Sequence, residues 1–363
     1  MSDVAVVKIG TSSVTDAHGV LDDAALTKLA ADLAAARAEG WRVVLVLSGA
    51  VAAGMPALGL TVRPHDIETL QAIAAVGQPR LVGRMGELLA PHGIVAGQVL
   101  LDPYDFVHRS QYLHARQTLG RLLDLGVLPI VNENDTVADD EIRYGDNDRL
   151  AALVAHLLRA EVLVLLTDTG GLFTADPRLD AGASLIAEIV EVDAALEAVA
   201  GSSGSTRGSG GMASKLQAAK IAAWSGVRAV IAAASTDGVV TGALDGRAVG
   251  TTVQPRDERL SARKLWIAFA QAAEGRIVVD AGARAALVSD GRSLLPAGVR
   301  AVEGEFDEAA AVEVVGPDGV PFAKGLVRMA ASELRAAMGR RTADRPEGSP
   351  HEAIHRDDLV VLP

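Results

Sequence analysis

The chain has 363 residues, 49% of them hydrophobic and 22% charged, which suits two ordinary domains and excludes a mainly disordered protein. The net charge of −12 disfavours non-specific binding to nucleic acid or anionic membrane, and the lack of cysteine excludes disulfides, thiolate nucleophiles and Cys-based metal sites. Aromatics make up only 3%, so the core must be aliphatic, as in helices packed on a parallel sheet.

Strand-length apolar runs alternate with helical patterns from the amino terminus onward. Strands are predicted at Val4–Ile9, Arg42–Leu47, Ile94–Leu100, Val127–Val131, Val162–Leu166 and Val227–Ala232. Helices are predicted at Asp22–Glu39, Arg109–Leu123, Leu150–Arg159 and Met212–Trp224. This alternation implies an α/β fold, a largely parallel sheet sandwiched by helices, with ligands at the carboxyl ends of the strands. Beyond the charged break Pro255–Arg259, short strand-like runs between glycines read as a small β-rich domain of about 75 residues. The expected division is 1–255 for the first domain, 256–273 for a linker, 274–350 for the β-rich domain and 351–363 for a tail, with the polar stretch Arg340–His355 expected to be mobile. The start Met1–Val4 lacks a charged and then apolar leader pattern. The apolar stretch Leu150–Leu166 is broken by His156, Arg159 and Glu161, so the expectation is a cytoplasmic protein without a membrane span.

The chemistry-bearing residues follow the strands. Lys8 lies inside the first apolar strand, where an ammonium is costly without an anion, and Gly10, Thr11 and Ser12 follow as a plausible phosphate cradle; an edge-strand lysine reaching solvent is the bland alternative. Ser48 ends the second strand, either to help bind a substrate carboxylate at the following helix or simply to cap it. The strings Asn132–Asp135 and Gly145–Asp148 crowd the same sheet edge, where they could hold an α-ammonium and an α-carboxylate together, and Asp148 could hold lysines from other segments. Thr167 and Asp168 open a turn suited to nucleotide contacts. In Ser209-Gly210-Gly211-Met212-Ala213-Ser214-Lys215 a cation in the first turn of a helix opposes the macrodipole by roughly 0.3–1 kcal/mol. A phosphate would satisfy Lys215, the glycine amides and the helix end at once. The eight histidines form no cluster, and no serine sits in a G-x-S-x-G setting, which argues against hydrolase chemistry.

In this order, Val7–Ser12, Leu47–Gly54, Val131–Asp135, Gly145–Asp148 and Gly210–Lys215 resemble the amino-acid kinase family, and within it the branch acting on glutamate. Gly275–Ala283 and Leu294–Val299 resemble the PUA domain that many members carry. The resemblance implies ATP-dependent phosphorylation of the γ-carboxylate of L-glutamate to L-glutamyl 5-phosphate, the first step of proline biosynthesis, with Mg²⁺ whose ligands stay unknown. It implies Lys8 and Lys215 on the ATP phosphates, Asp148 organising both lysines, and Ser48, Asp135 and Asn147 on glutamate. Gly10, Thr167, Asp168 and the loop Ser209–Lys215 would bind the nucleotide. The loop has Ser209 and Ser214 where the family pattern has threonine, which keeps both hydroxyls. The resemblance further implies a homo-oligomer, feedback inhibition by proline and a reductase partner that captures the acyl phosphate. Aspartate, acetylglutamate or UMP are the alternative acceptors. An RNA-binding role for the PUA domain is the alternative from another class. Residues 274–363 carry 11 Lys/Arg against 15 Asp/Glu, and their only aromatics are Phe306 and Phe322, so RNA is not expected as a partner.

Overall fold

Six residues, Val4–Ile9 (β1), form the strand on which the larger sheet is centred, and only Lys8 interrupts their apolar character. The computed structural model describes residues 3–16, 18–106, 108–137, 147–202, 211–269, 272–340 and 350–362. The chain divides into two units, Met1–Arg259 and Leu260–Pro363.

In the first unit β1 is followed by α1 (Asp23–Ala38), whose start is fixed by Asp22, which accepts from the amides of Ala24 and Ala25 at 2.8 and 3.2 Å. Next come β2 (Arg42–Leu47), the short α2 (Ala50–Gly54) and α3 (Ile67–Leu89). Then follow β3 (Ala96–Leu101), α4 (Arg109–Asp124), β4 (Leu128–Glu133), α5 (Asn147–Leu158) and β5 (Val162–Thr167). The unit continues with β6 (Glu188–Ile189), α6 (Ala194–Ser202), α7 (Met212–Trp224), β7 (Arg228–Ala233), α8 (Val239–Leu244) and β8 (Gly250–Val253). The strand order is β3-β4-β2-β1-β5-β7-β8-β6, parallel throughout except where β8 pairs antiparallel to β7. The largely parallel sheet is thus as expected. Its central strands β1, β2, β4 and β5 are buried on both faces, with Val7, Leu45, Leu47, Val164 and Leu166 sharing one core with Leu26 and Leu33 of α1.

The longest helix, α3, has no counterpart among the expected elements. Its buried stripe of Leu70, Ile73, Ala74, Gly77, Gln78, Leu81 and Met85 keeps helical spacing, but Gly77, Gln78 and the internal Pro79 obscure it. The glycine is required. A Cβ on Gly77 would lie 1.7 Å from the carbonyl oxygen of Ala50, and one on Gly54 would lie 2.1 Å from that of Ile73, so α2 and α3 touch backbone to backbone.

The second unit is built on α9 (Ala262–Phe269), β9 (Gly275–Val279), α10 (Ala281–Val288), β10 (Val299–Glu303), β11 (Ala311–Val315), β12 (Pro321–Val327), α11 (Ala331–Ala337) and β13 (Ile354–Val361). Its five-stranded sheet runs β10-β9-β11-β12-β13, with its own core around Ile277, Val312, Phe322 and Leu359. Two expectations are corrected here. The stretch 256–273 is no plain linker, because α9 buries Leu265 and Ile267 and belongs to this unit. The expected tail 351–363 instead supplies β13, which pairs antiparallel with β12 and buries Ile354, Leu359 and Val360. An apolar strand that completes an open sheet edge gains more than it loses in chain entropy. Residues 341–349 of the expected mobile stretch lie outside the described residues.

Candidate active site

The site assembles where β1, β2, β4 and β5 end side by side. Lys8 pairs in register with Val46 of β2 and Leu165 of β5, so it sits on a central strand and the edge-strand alternative is lost. Its ammonium is buried and ion-paired with Asp148 Oδ1. Lys215, in the first turn of α7 and also buried, places Nζ 3.2 Å from Asp148 Oδ2. The Ser214 hydroxyl is 2.8 Å from the same oxygen. Asp148 thus bridges two lysines from segments far apart in the chain, from the first turn of α5, where a carboxylate also suits the helix dipole. Burial pushes the Asp148 carboxyl up, but Lys8 and then Lys215 outweigh it and hold the group down at about 2. Two ammonium groups from distant segments thus converge on one carboxylate beside the strand ends.

Gly10 caps the turn Thr11–Ser13, and a Cβ there would come 3.6 Å from Lys8 Nζ, so the backbone runs close beside the ammonium. An adjoining cavity is lined by Ser12, Thr167, Asp168, Gly211, Met212 and Lys215, with a far wall from Gly171 to Arg178. Thr167 donates its hydroxyl to Asp168 Oδ1 at 3.0 Å. Ala213 and Ser214 do not line this cavity; Ala213 is exposed and Ser214 turns toward Asp148. Ser209 and Gly210, like Gly145 and Asp146, lie outside the described residues. Gly171 and Leu172 belong to the turn expected to contact nucleotide, whereas Phe173–Arg178 gave no signal in the sequence beyond the proline of a loop.

On the other side of Asp148 the site is built of amides. Asn147 Nδ2 donates to Ser48 Oγ and to Asn132 Oδ1, both at 3.0 Å. The backbone amide of Glu133 donates to Asn132 Oδ1 at 2.9 Å. Ser48, Asn132 and Asn147 are all buried. Ser48 does not cap α2; Gly49 does, at φ 118, a conformation reserved for glycine. Asp135 stands beyond the end of β4. Burial pushes its carboxyl up to about 6, against the opposing pull of the Gln78 amide and the Arg63 guanidinium. Ser48, Asn147 and Asp135 are therefore gathered at one sheet edge with Lys8, Asp148 and Lys215. Asn132, present in the quoted string but given no role of its own, belongs in the same network.

Among the described residues no group of three or more His, Asp or Glu is placed to hold a metal ion. Asp168 and Asp176 both line the cavity, and Asp176 is ion-paired with Arg178 at 2.7 Å, so Asp168 is the acid that would hold a Mg²⁺ from the protein side, the rest of the shell being phosphate and water.

Comparison with known proteins agrees with this geometry. The sequence pattern of the Amino acid kinase family matches residues 3–233, and that of the PUA domain matches residues 275–347. A glutamate 5-kinase of Myxococcus xanthus is 48% identical over 361 residues, covering 98% of this chain and 96% of that protein. A glutamate 5-kinase of Thioalkalivibrio sulfidiphilus is 49% identical over 362 residues with the same coverage. Among solved structures, the carbamate kinase from Giardia lamblia bound to AMP-PNP shares the fold, with a TM-score of 0.52 at 18% identity, over 70% of this chain and 99% of that one. With the two buried lysines bridged by Asp148 at the sheet's ligand edge, and with both patterns matched in order, the chain belongs to the amino acid kinase family and carries a carboxyl-terminal PUA domain.

Proposed function

We propose that this protein is an ATP-dependent kinase that phosphorylates the γ-carboxylate of L-glutamate, the first step of proline biosynthesis, as its full-length relatives are named to do. The observation that carries the reading is the Lys8–Asp148–Lys215 bridge set beside the Ser48–Asn147–Asn132 amide network. A γ-carboxylate oxygen attacks the γ-phosphorus of ATP, the bond from that phosphorus to the β,γ-bridging oxygen breaks, and ADP leaves with the electron pair. The acceptor is already an anion, so no general base is needed. The barrier lies in bringing two anions together, and fixed cations lower it most. Lys8 and Lys215 supply that charge, held by Asp148 so that little reorganisation accompanies transfer. Thr167, Asp168, Gly211, Met212 and Lys215 receive the nucleotide, together with Gly10, Ser209 and Gly210. Mg²⁺, when bound, neutralises triphosphate charge. Ser48 and Asn147 face the substrate's α-carboxylate, and Asp135 its ammonium.

The acyl phosphate product is labile, which favours a glutamyl-phosphate reductase as partner; proline as feedback inhibitor, a homo-oligomeric state and a cytoplasmic setting complete the reading. No described helix is long and apolar enough to cross a membrane. RNA is not proposed as a partner of the PUA domain, since Phe306 and Phe322 are both buried in its core and neither face is open for base stacking.

ADP release with Mg-ATP and glutamate, with hydroxylamine trapping the acyl phosphate as hydroxamate, tests the reading directly. Glutamate-dependent hydroxamate that drops about a thousandfold in Lys215→Ala is the expected result. Turnover only with aspartate, acetylglutamate or UMP would retain the phosphate site and overturn the acceptor.

A further inference from the structure

A buried glutamine on the unexpected helix controls the acid that would face the substrate's ammonium. Gln78, on α3, is 6% exposed. Its Oε1 accepts from Gln98 Nε2 at 3.1 Å, and Gln98 stands on β3 in register with Ile130 of β4. With its oxygen taken by Gln98, the carboxamide can present only its amino end on the opposite side. There Nε2 lies 3.4 Å from the carbonyl oxygen of Glu133 and 3.5 Å from Asp135 Oδ2. The reverse orientation would set its oxygen against two acceptors, so the order Gln98 to Gln78 to Asp135 has one direction. The backbone of the same turn is clamped at Gly77 against Ala50, which leaves Gln78 little freedom to follow Asp135 if that loop shifts.

We propose that Gln78, oriented by Gln98, is a positioning residue that aims the Asp135 carboxylate at the ammonium of the amino-acid substrate and so sets substrate affinity without taking part in phosphoryl transfer. The inference rests on the functional reading above. It assigns roles to two residues outside every motif that carries the family resemblance.

A carboxylate offered to an ammonium must be ionised, and Asp135 is held near the upper limit for that at neutral pH. The groups facing it are the Gln78 amide from α3, Arg63 from the segment before α3, and Glu133 at the end of β4. Loss of the Gln78 donor removes an influence that favours the charged form. Substrate binding then weakens, and weakens further as pH falls.

The test is steady-state kinetics on the full chain and on Gln78→Leu, Gln98→Leu and the double variant, varying glutamate and ATP separately from about pH 6 to about pH 8. Gln78→Leu is expected to raise the glutamate KM about tenfold, with kcat at saturating glutamate and the ATP KM within about twofold. Gln98→Leu, at an exposed position of β3, is expected to raise the glutamate KM about threefold, and the double variant to be no worse than Gln78→Leu, because the two act in series. The acid limb of kcat/KM for glutamate moves to higher pH in each variant. Unaltered glutamate KM in both single variants, or equal losses in kcat and in ATP affinity, would overturn the proposal while leaving the functional reading intact. Absence of glutamate turnover in the unmutated protein would overturn both.

Discussion

The two ends of the cleft hold their charges by opposite means. At the phosphate end, Asp148 is fully buried yet strongly ionised, because two ammonium groups close on it from β1 and α7. At the amino-acid end, Asp135 is partly buried beside the Gln78 amide, and burial pushes it toward its protonated form against the pull of Arg63. The first arrangement holds two ammonium groups in place for an anion that arrives already charged. The second holds a carboxylate whose charged form burial disfavours. The phosphate end is therefore preorganised by ion pairs, and the amino-acid end is held in wait by dipoles.

The sharpest way to break this contrast is to remove the bridge. Asp148→Asn leaves two buried ammonium groups without their counter-charge, and should cost about 3–5 kcal/mol of stability, read as a fall in thermal midpoint, together with nearly all activity. The mirror experiment has the opposite sign. Asp135→Asn removes an acid whose folded pKa of about 6 lies above the ordinary 3.8, so its ionisation opposes folding at neutral pH. The variant should be more stable at pH 7, on the order of 1–3 kcal/mol, while losing affinity for glutamate. An unchanged or lower midpoint would show that Asp135 is not held at a cost.

Proton linkage separates the two ends again. The folded pKa of Asp148, about 2, lies below its ordinary 3.8, so its contribution is complete above that ordinary value and is lost as pH falls from there toward 2. Asp135 acts between about 6 and 3.8 with the reverse sign: as pH falls through this window the folded form takes up the proton first, and its penalty disappears. Denaturant unfolding across these windows, with Asp135→Asn as control, reads both slopes. A further test comes from packing. Gly77→Ala forces α2 and α3 apart at their backbone contact, and should cost about 1–3 kcal/mol and raise the glutamate KM more than the ATP KM, because α2 follows directly on Ser48.

Much of the phosphate end was legible in the sequence. Lys8 stands out as a cation in an aliphatic strand, and Lys215 as a cation in the wrong end of a helix; each violates a local rule that only a partner or ligand can excuse. The amino-acid end was legible only as a crowd of Asn and Asp after β4, since nothing local says which of them is buried or what each one bonds. Gln78 was not legible at all. A glutamine in a helix is ordinary on a surface, and its burial depends on α3 lying against α2 and β3.

Local sequence was enough for six strands of the larger sheet, four of the helices beside them, the parallel character of that sheet and the polar strings at the strand ends, because these follow from periodicity and from local chemistry over a few residues. Only long-range contacts settled that Gly77 brings α3 onto α2 and that Ile354–Val361 closes the second sheet rather than trailing from it. Those outcomes depend on contacts between residues far apart in the chain, whose energies come from burial in a protein interior that no local window of sequence contains.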